Sequence, residues 1–211
     1  MNRPQDLPRE MCWLCRRAQV ACYCDQVLPF DAGFDLALCI HPGEARNPVG
    51  TARIIERFVH GARAFTGTGP QLDRDPAFSA WLHESGAESP YVLYPSPSAL
   101  WLKKEENRDT SESSTRKRIV ILDGTWSQAK QLLRTSVTLR SLPQIAFQPR
   151  HPSRYEIREQ PATLCLSSLE AVSELIALNQ TKISEGHSRM LGVFYQMVEY
   201  QLKMENENHA N

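Results

Sequence analysis

The chain has 211 residues, which suits one domain with a small appendage and allows a sizeable hydrophobic core. Its 24 basic and 24 acidic residues cancel, which excludes the bulk positive charge of many nucleic-acid-binding proteins, although a local patch can still bind RNA. No apolar run approaches the roughly 18 residues that span a bilayer, and the polar residues 1–10 do not resemble a signal peptide. We therefore expect a cytoplasmic protein with reduced thiols, no membrane association and no obligate protein partner.

Hydrophobic periodicity and turn residues predict strands that alternate with helices. Strands are predicted at residues 35–40, 91–94, 119–122, 144–147 and 155–158, and helices at residues 51–60, 76–83, 126–135, 169–178 and 189–204. Ten charges among sixteen residues predict a flexible loop at 103–118. The alternation favours an α/β domain with a mainly parallel sheet over residues 31–211, preceded by a cysteine-rich unit over residues 1–30.

That unit contains four cysteines within thirteen residues, namely Cys12, Cys15, Cys22 and Cys24. A Cys-x-x-Cys turn supplies two ligands of tetrahedral zinc, which favours a zinc knuckle over a redox pair or a disulfide. Four thiolates leave no open coordination position, so the ion would be structural. Arg16 and Arg17 either face a phosphate backbone or form part of the solvated surface. Cys39 and Cys165 stand in apolar contexts and are expected in the core.

The most apolar strand, 119–122, runs directly into Asp123 and Gly124, and a helix follows. This pattern places a carboxylate at the carboxyl edge of the sheet, where open α/β folds bind ligands. Glycine lets the backbone approach a ligand, and a helix N-terminus favours anionic groups. The alternative is that Asp123 only caps the helix or forms the turn. The chain has no Gly-x-Gly-x-x-Gly, Walker or Gly-x-Ser-x-Gly motif, so dinucleotide binding, P-loop and serine-hydrolase chemistry lack support.

Five blocks resemble the DTW-domain tRNA-uridine aminocarboxypropyltransferases, in that family's order. They are Cys12-x-x-Cys15…Cys22-x-Cys24; His41-Pro42-x-Glu44-x-Arg46 with Gly50-Thr51-x-Arg53; Leu93-Tyr94-Pro95; Asp123-Gly124-Thr125-Trp126-x-x-Ala129-Lys130; and Ser153-x-Tyr155-x-x-Arg158 leading to Leu166-Ser167-Ser168-Leu169-Glu170-Ala171. Two departures stand out, since Gly50-Thr51-Ala52 replaces the usual Asn-Thr-Gly and Ser168 replaces threonine.

The resemblance implies a SPOUT-like domain with a C-terminal trefoil knot that binds S-adenosylmethionine in three loops, 94–96, 122–124 and 164–168. The cofactor-binding residues implied are Leu93, Tyr94, Pro95, Ser96, Leu122, Gly124, Thr125, Trp126, Leu166 and Ser168. Trp126 either stacks on adenine or uridine, or packs in the core. The helix that follows Ser168 carries Glu170 in its first turn, where a carboxylate suits the helix dipole.

The resemblance further implies transfer of the 3-amino-3-carboxypropyl group to N3 of a tRNA uridine, in the variable loop as in bacterial members, with release of methylthioadenosine. Asp123 is expected to act as general base or to hydrogen-bond N3–H. The predicted tRNA-binding residues are His41, Glu44, Arg46, Arg53, Lys130, Arg134, Arg154 and Arg158. His41 and Glu44 would line the uridine pocket, although a His-Pro turn is often merely structural. Two alternatives stay open: a zinc-knuckle RNA-binding protein without catalysis, and a SPOUT-type RNA methyltransferase.

Overall fold

A six-stranded sheet forms the centre of the computed structural model, which describes residues 10–84, 89–103, 116–157, 165–179 and 183–209. The strands are β1 (Asp35–Ile40), β2 (Arg63–Thr66), β3 (Tyr91–Leu93), β4 (Leu100–Leu102), β5 (Arg118–Asp123) and β6 (Gln144–Phe147). Their order is β2-β1-β5-β3-β6-β4, and every pairing is parallel. The predicted α/β class with a mainly parallel sheet is confirmed.

Seven helices cover this sheet in the described part of the chain. They are α1 (Ala52–Phe58), α2 (Gly69–Leu72), α3 (Pro76–Leu82), α4 (Trp126–Thr135), α5 (Val137–Ser141), α6 (Ser168–Asn179) and α7 (Glu185–His209). Two short 3-10 turns, Gln19–Ala21 and Cys24–Gln26, precede the sheet. Within the described ranges, no helix is both long and apolar enough to cross a membrane.

Side chains of β1 and β5 alternate between two hydrophobic layers because successive residues of a strand point to opposite faces. Leu36 and Leu38 pack with residues of α1, α6 and α7, whereas Ala37 and Cys39 pack with residues of α2 to α5. All six residues of β5 are buried, as expected of a parallel strand covered on both faces. Full burial raises the pKa of the predicted core residue Cys39, whereas Cys165 is half-buried.

The register aligns the carboxyl ends of the central strands. Ile40 of β1 lies opposite Asp123 of β5, and Leu93 of β3 lies opposite Ile121. The segments that follow β1, β3 and β5 therefore leave the sheet side by side at one edge. This edge is where the sequence motifs predict a binding site.

The predicted strand at 155–158 is wrong for its described residues, which form an irregular turn. The Tyr155 hydroxyl donates to the carbonyl of Val49 at 3.0 Å, and side-chain hydrogen bonds hold this segment outside the sheet. The short elements β2, α2, β4 and α5 were not predicted, because they span at most five residues and show little periodicity.

The predicted charged loop ends earlier than expected. Residues 104–115 lie outside the described residues, whereas Arg116 and Arg118 make side-chain contacts. Arg118 is the first residue of β5 and is 1% exposed, with its guanidinium 4.1 Å from the centre of the Trp81 ring. The Arg116 Nε donates to Asp35 at 2.7 Å, and its Nη1 donates to Asp31 at 3.0 Å. Arg116 and Arg118 are therefore fixed by contacts and do not belong to a flexible loop.

Candidate active site and cysteine cluster

Asp123 is buried at the carboxyl end of β5, with only 3% of its surface exposed. The hydroxyl of Thr51, which immediately precedes α1, donates to its Oδ1 over a long distance of 3.4 Å. Its carbonyl accepts a 2.9 Å hydrogen bond from the backbone N–H of His41. Asp123 is thus held between the segment that follows β1 and the start of α1, where a buried carboxylate can receive a proton.

Thr125, and not Asp123, caps helix α4. The Thr125 hydroxyl accepts from the backbone N–H of Gln128 at 3.2 Å, and the Gln128 side chain accepts from the backbone N–H of Thr125 at 2.8 Å. This reciprocal pair is a capping box of the Thr-x-x-Gln type. The alternative in which Asp123 serves as the helix cap is therefore wrong.

Two glycines let the segments after β1 and β5 approach each other. Gly124 has a φ of 156°, and a Cβ atom there would lie 2.9 Å from Oε1 of Gln128 and 3.4 Å from Cβ of His41. A Cβ atom on Gly43 would lie 2.8 Å from Nε2 of the same glutamine. Gln128 therefore lies between the two segments. Sequence reasoning missed it, although the Thr-x-x-Gln signature was present.

The segment between β1 and α1 is fixed by its own hydrogen bonds. Glu44 is buried and accepts from the Asn47 side chain at 2.7 Å, while Asn47 Oδ1 accepts from the backbone N–H of Val49 at 3.0 Å. Nδ1 of the half-buried His41 accepts from the backbone N–H of Gly43 at 3.1 Å, which places the proton of a neutral imidazole on Nε2. The structural role expected for a His-Pro turn is present, and one ring N–H remains as a donor.

The segments after β3 and β5 meet through two aromatic rings. The ring centroids of Tyr94 and Trp126 are 6.5 Å apart, at an interplanar angle of 53°. Both residues are half-buried, as are Leu93 and Ser96, whereas Pro95 is exposed. Trp126 therefore does not enter the fully buried core, and it lies at the same edge as Asp123.

Glu170 organises the third predicted loop. Ser167 caps α6, and the Glu170 carboxylate accepts from its backbone N–H and its hydroxyl, both at 2.8 Å. The same carboxylate accepts from the Ser153 hydroxyl at 2.7 Å and from the backbone N–H of Arg154 at 2.6 Å. The expected role at the helix start is confirmed, and the link to residues 153–154 was not foreseen. This arrangement holds the loop that contains Leu166 and the first residue of α6, Ser168.

The predicted tRNA-binding cations are spread over the molecule. Arg46, Lys130, Arg134 and Arg154 are exposed, Arg53 is half-buried, and Arg158 lies outside the described residues. The Arg154 guanidinium lies 4.1 Å from the centre of the Tyr195 ring on α7. Lys130 and Arg134 belong to α4 and Arg53 to α1, which cover opposite faces of the sheet. The structure therefore does not gather these side chains into one patch.

The four N-terminal cysteines do converge. Their sulfur atoms all lie within 4.8 Å of one another, with Cys12 to Cys24 at 3.7 Å and Cys15 to Cys22 at 3.8 Å. A tetrahedron with metal–sulfur bonds of about 2.3 Å has edges of about 3.8 Å, so these separations suit a zinc-sized ion. They are far too long for a disulfide, whose sulfur atoms lie about 2.05 Å apart. The cluster can hold a metal ion.

The thiols of the cluster differ in acidity: burial raises the pKa of Cys24 to about 12, whereas backbone hydrogen bonds act in the opposite direction on Cys12. Hydrogen bonds from the backbone N–H groups of Cys15 and Leu14 lower the pKa of Cys12 to about 6. Arg16 adopts a left-handed φ of 56° directly after Cys15 and is exposed. Arg17 is only 7% exposed, so the alternative in which it forms part of the solvated surface is wrong. Its backbone carbonyl accepts from the N–H of Cys12 at 2.7 Å.

Comparison with known proteins adds independent information. The chain is 29% identical to tRNA-uridine aminocarboxypropyltransferase 2 of Macaca fascicularis over 81% of its own length and 56% of the relative's. It is 24% identical to the Drosophila melanogaster protein of the same name, over 92% of this chain and 76% of that one. It is also 24% identical to tRNA-uridine aminocarboxypropyltransferase A of Arabidopsis thaliana, over 92% and 82%.

The chain thus spans little more than half the length of the first of these relatives. No solved structure matches it. The family model of the DTW domain matches residues 9–202, which include the cysteine cluster and every strand described above. The predicted resemblance is therefore confirmed, and the chain belongs to the DTW domain family.

Proposed function

We propose that the protein is an S-adenosylmethionine-dependent tRNA-uridine aminocarboxypropyltransferase that modifies N3 of a uridine in the variable loop. The observation that carries this proposal is the buried Asp123 carboxylate at an edge where three family blocks meet. The names of the relatives, which cover most of this chain, support the same activity. A cytoplasmic location is part of the proposal.

In this mechanism Asp123 accepts the proton of uridine N3–H. S-adenosylmethionine supplies an electrophilic Cγ next to its sulfonium; the N3–Cγ bond forms, the Cγ–S bond breaks, and the electron pair stays on sulfur as methylthioadenosine leaves. The Thr51 hydroxyl orients the carboxylate through its hydrogen bond to Oδ1. Burial of the carboxylate excludes water that would compete for the proton.

The same proposal assigns the cosubstrate to the edge of the sheet. Tyr94 and Trp126 would contact it from the segments after β3 and β5, because their ring centroids lie 6.5 Å apart at this edge. Leu166 and Ser168 would contribute from the start of α6. A SPOUT-like topology with a trefoil knot is the finer fold assignment that we propose, supported by the five matching sequence blocks.

We further propose that the cysteine cluster binds structural zinc and forms a unit over residues 1–30, ahead of the transferase domain over 31–211. The sulfur separations support a tetrahedral ion, and four thiolates complete its coordination. The exposed Arg46, Lys130, Arg134 and Arg154 would contact tRNA phosphates, together with Arg53 and Arg158. His41 and Glu44 would line the uridine pocket.

A double-label assay on unmodified tRNA tests the activity. When S-adenosylmethionine is labelled in its carboxypropyl carbons, the label should enter tRNA. When S-adenosylmethionine is labelled in its methyl group, the label should be released in methylthioadenosine. Label transferred only from the methyl group would establish a methyltransferase instead. RNA binding without transfer of either label would support the non-catalytic alternative.

Asp123→Asn tests the assigned base. We expect turnover to fall about 10²- to 10⁴-fold, because asparagine cannot accept the proton, while the cosubstrate still raises the melting temperature. Thr125 caps α4, so this change should leave the helix intact. Turnover close to that of the unaltered protein would remove Asp123 from the base role.

A further inference from the structure

A buried tyrosine, Tyr155, connects an irregular segment of the chain to the turn that precedes α1. Tyr155 is only 4% exposed, and its hydroxyl donates to the backbone carbonyl of Val49 at 3.0 Å. Its ring stacks on that of Phe194 in α7, with the centroids 5.8 Å apart and an interplanar angle of 23°. The residue therefore combines a packed ring with a hydrogen bond to a distant segment, as a buried phenol requires.

The turn before α1 ends in the residue that contacts the proposed base. The backbone N–H of Gly50 donates to the carbonyl of Asn47 at 3.1 Å, and that of Val49 donates to the Asn47 side chain at 3.0 Å. Two residues after Val49, the buried Thr51 donates to Oδ1 of Asp123 at 3.4 Å. This bond is already long, so a small movement of the turn would break it.

The tyrosine is anchored at its other end to the start of α6. The Ser153 hydroxyl accepts from the backbone N–H of Tyr155 at 3.1 Å and donates to the Glu170 carboxylate at 2.7 Å. That carboxylate is buried and also accepts from the backbone N–H of Ser167 at 2.8 Å. Because its backbone and its ring are both held, Tyr155 can serve as a fixed support for the turn.

Loss of the phenol hydroxyl would move the turn for a definite physical reason. Val49 is 7% exposed, so its carbonyl would lose a donor in a place that water reaches poorly. A buried carbonyl without a donor is unfavourable, and the turn would shift to find another partner. Since Thr51 is two residues further along the chain, its hydroxyl would shift away from Asp123.

We propose that Tyr155 is a positioning residue for the transfer reaction, because it fixes the turn from which Thr51 orients the Asp123 carboxylate. The inference rests on the proposed function, in which that carboxylate accepts the proton of uridine N3–H. A general base must lie within hydrogen-bonding distance of the proton that it removes, and a displacement of about 1 Å costs about 10²-fold in rate. Tyr155 thus acts on the reaction through Thr51.

Tyr155→Phe in the full chain tests this role, because phenylalanine keeps the stacked ring and removes only the hydroxyl. The kcat for transfer of the carboxypropyl group should fall about 10- to 100-fold, whereas KM for S-adenosylmethionine and for tRNA should change less than about twofold. Tyr91→Phe is the matched control and should leave kcat and KM unchanged, since Tyr91 is the first residue of β3 and lies at the opposite edge of the sheet.

A double-mutant cycle with Thr51→Val separates positioning from a general loss of stability. Thr51→Val should lower kcat by a similar factor, and Tyr155→Phe should lower kcat no further in the Thr51→Val background. Effects of the two changes that multiply would overturn the proposal. An unchanged kcat in the folded Tyr155→Phe protein would overturn it as well.

Amide hydrogen exchange gives a measurement that does not depend on activity. The N–H groups of Val49 and Gly50 should exchange at least about tenfold faster in Tyr155→Phe than in Tyr91→Phe, while the amides of β5 keep their protection. Unchanged exchange at the turn would overturn the inference even if kcat falls. If exchange rises but the unaltered protein transfers no carboxypropyl group, the proposed function fails and the support of the turn by Tyr155 stands.

Discussion

The cysteine cluster and the Asp123 edge differ in what holds them in place. Residues 10–30 contain two short 3-10 turns and leave large apolar side chains at the surface, including Met11, Trp13, Leu14 and Val20, with Trp13 95% exposed. The Asp123 edge rests on a strand whose residues are all buried and on helices packed on both faces. We therefore expect the first region to depend on the ion that its cysteines can hold, whereas the second depends on the hydrophobic core.

Removal of the metal should produce the largest difference in local stability between the two regions. Structural zinc contributes about 10–16 kcal/mol in isolated zinc-finger peptides, so a chelator or Cys15→Ser should unfold residues 10–30 locally. Amide hydrogen exchange should rise there while β1 and β5 keep their protection, because helices on both faces supply most of the core that buries them. Cys165→Ser, outside the cluster, should retain the metal. An equal loss of amide protection in β5 would show that the two regions do not differ in what stabilises them.

Truncation of Glu170 should produce the largest stability loss near the predicted cofactor loops. Glu170→Ala removes an acceptor of hydrogen bonds from Ser153, Arg154 and Ser167, and we expect a loss of about 2–4 kcal/mol in urea unfolding. Glu174→Ala is the matched control, since its partner Arg150 is half-exposed and the pair should contribute less than about 1 kcal/mol. Equal effects of the two changes would rule out a special role for Glu170.

Gly124→Ala should destabilise the Asp123 edge by about 1–3 kcal/mol, because its φ of 156° is unfavourable for alanine and the new methyl would crowd Gln128. Gly192→Ala in α7 meets no atom within 4 Å and should stabilise the protein by about 0.4–1 kcal/mol. Thermal unfolding of both variants measures the contrast. A neutral Gly124→Ala would show that the backbone there relaxes at little cost.

The smallest expected effect concerns pH. Hydrogen bonds from Arg116 lower the pKa of Asp31 from 3.8 to about 2. The stabilisation is therefore complete above about pH 4 and is lost as the pH falls through about 2. Both side chains are partly exposed, so screening should keep it below about 1 kcal/mol. Arg116→Gln should remove this pH dependence in acid unfolding, whereas an identical acid profile would contradict it.

Local patterns predicted the elements well where they were long or strongly apolar. The strands at 35–40 and 144–147 and the helix at 126–135 match the structure residue for residue. Residues 155–157 were misassigned because alternation alone does not reveal that the Tyr155 hydroxyl is held by the Val49 carbonyl. Likewise, the polarity of Arg17 suggested a surface position, but the folded chain buries it beside Cys15 and Tyr23.

The amino-acid sequence by itself determined the alternation of strands and helices, the gathering of four thiols and the position of Asp123 at a strand end. These features depend on residues that are near neighbours in the chain, where spacing and hydrophobicity carry the information. Only the tertiary structure decided the strand order, the contact of Tyr94 with Trp126 and the links made by Glu170. Those depend on packing between distant segments, which no local pattern encodes.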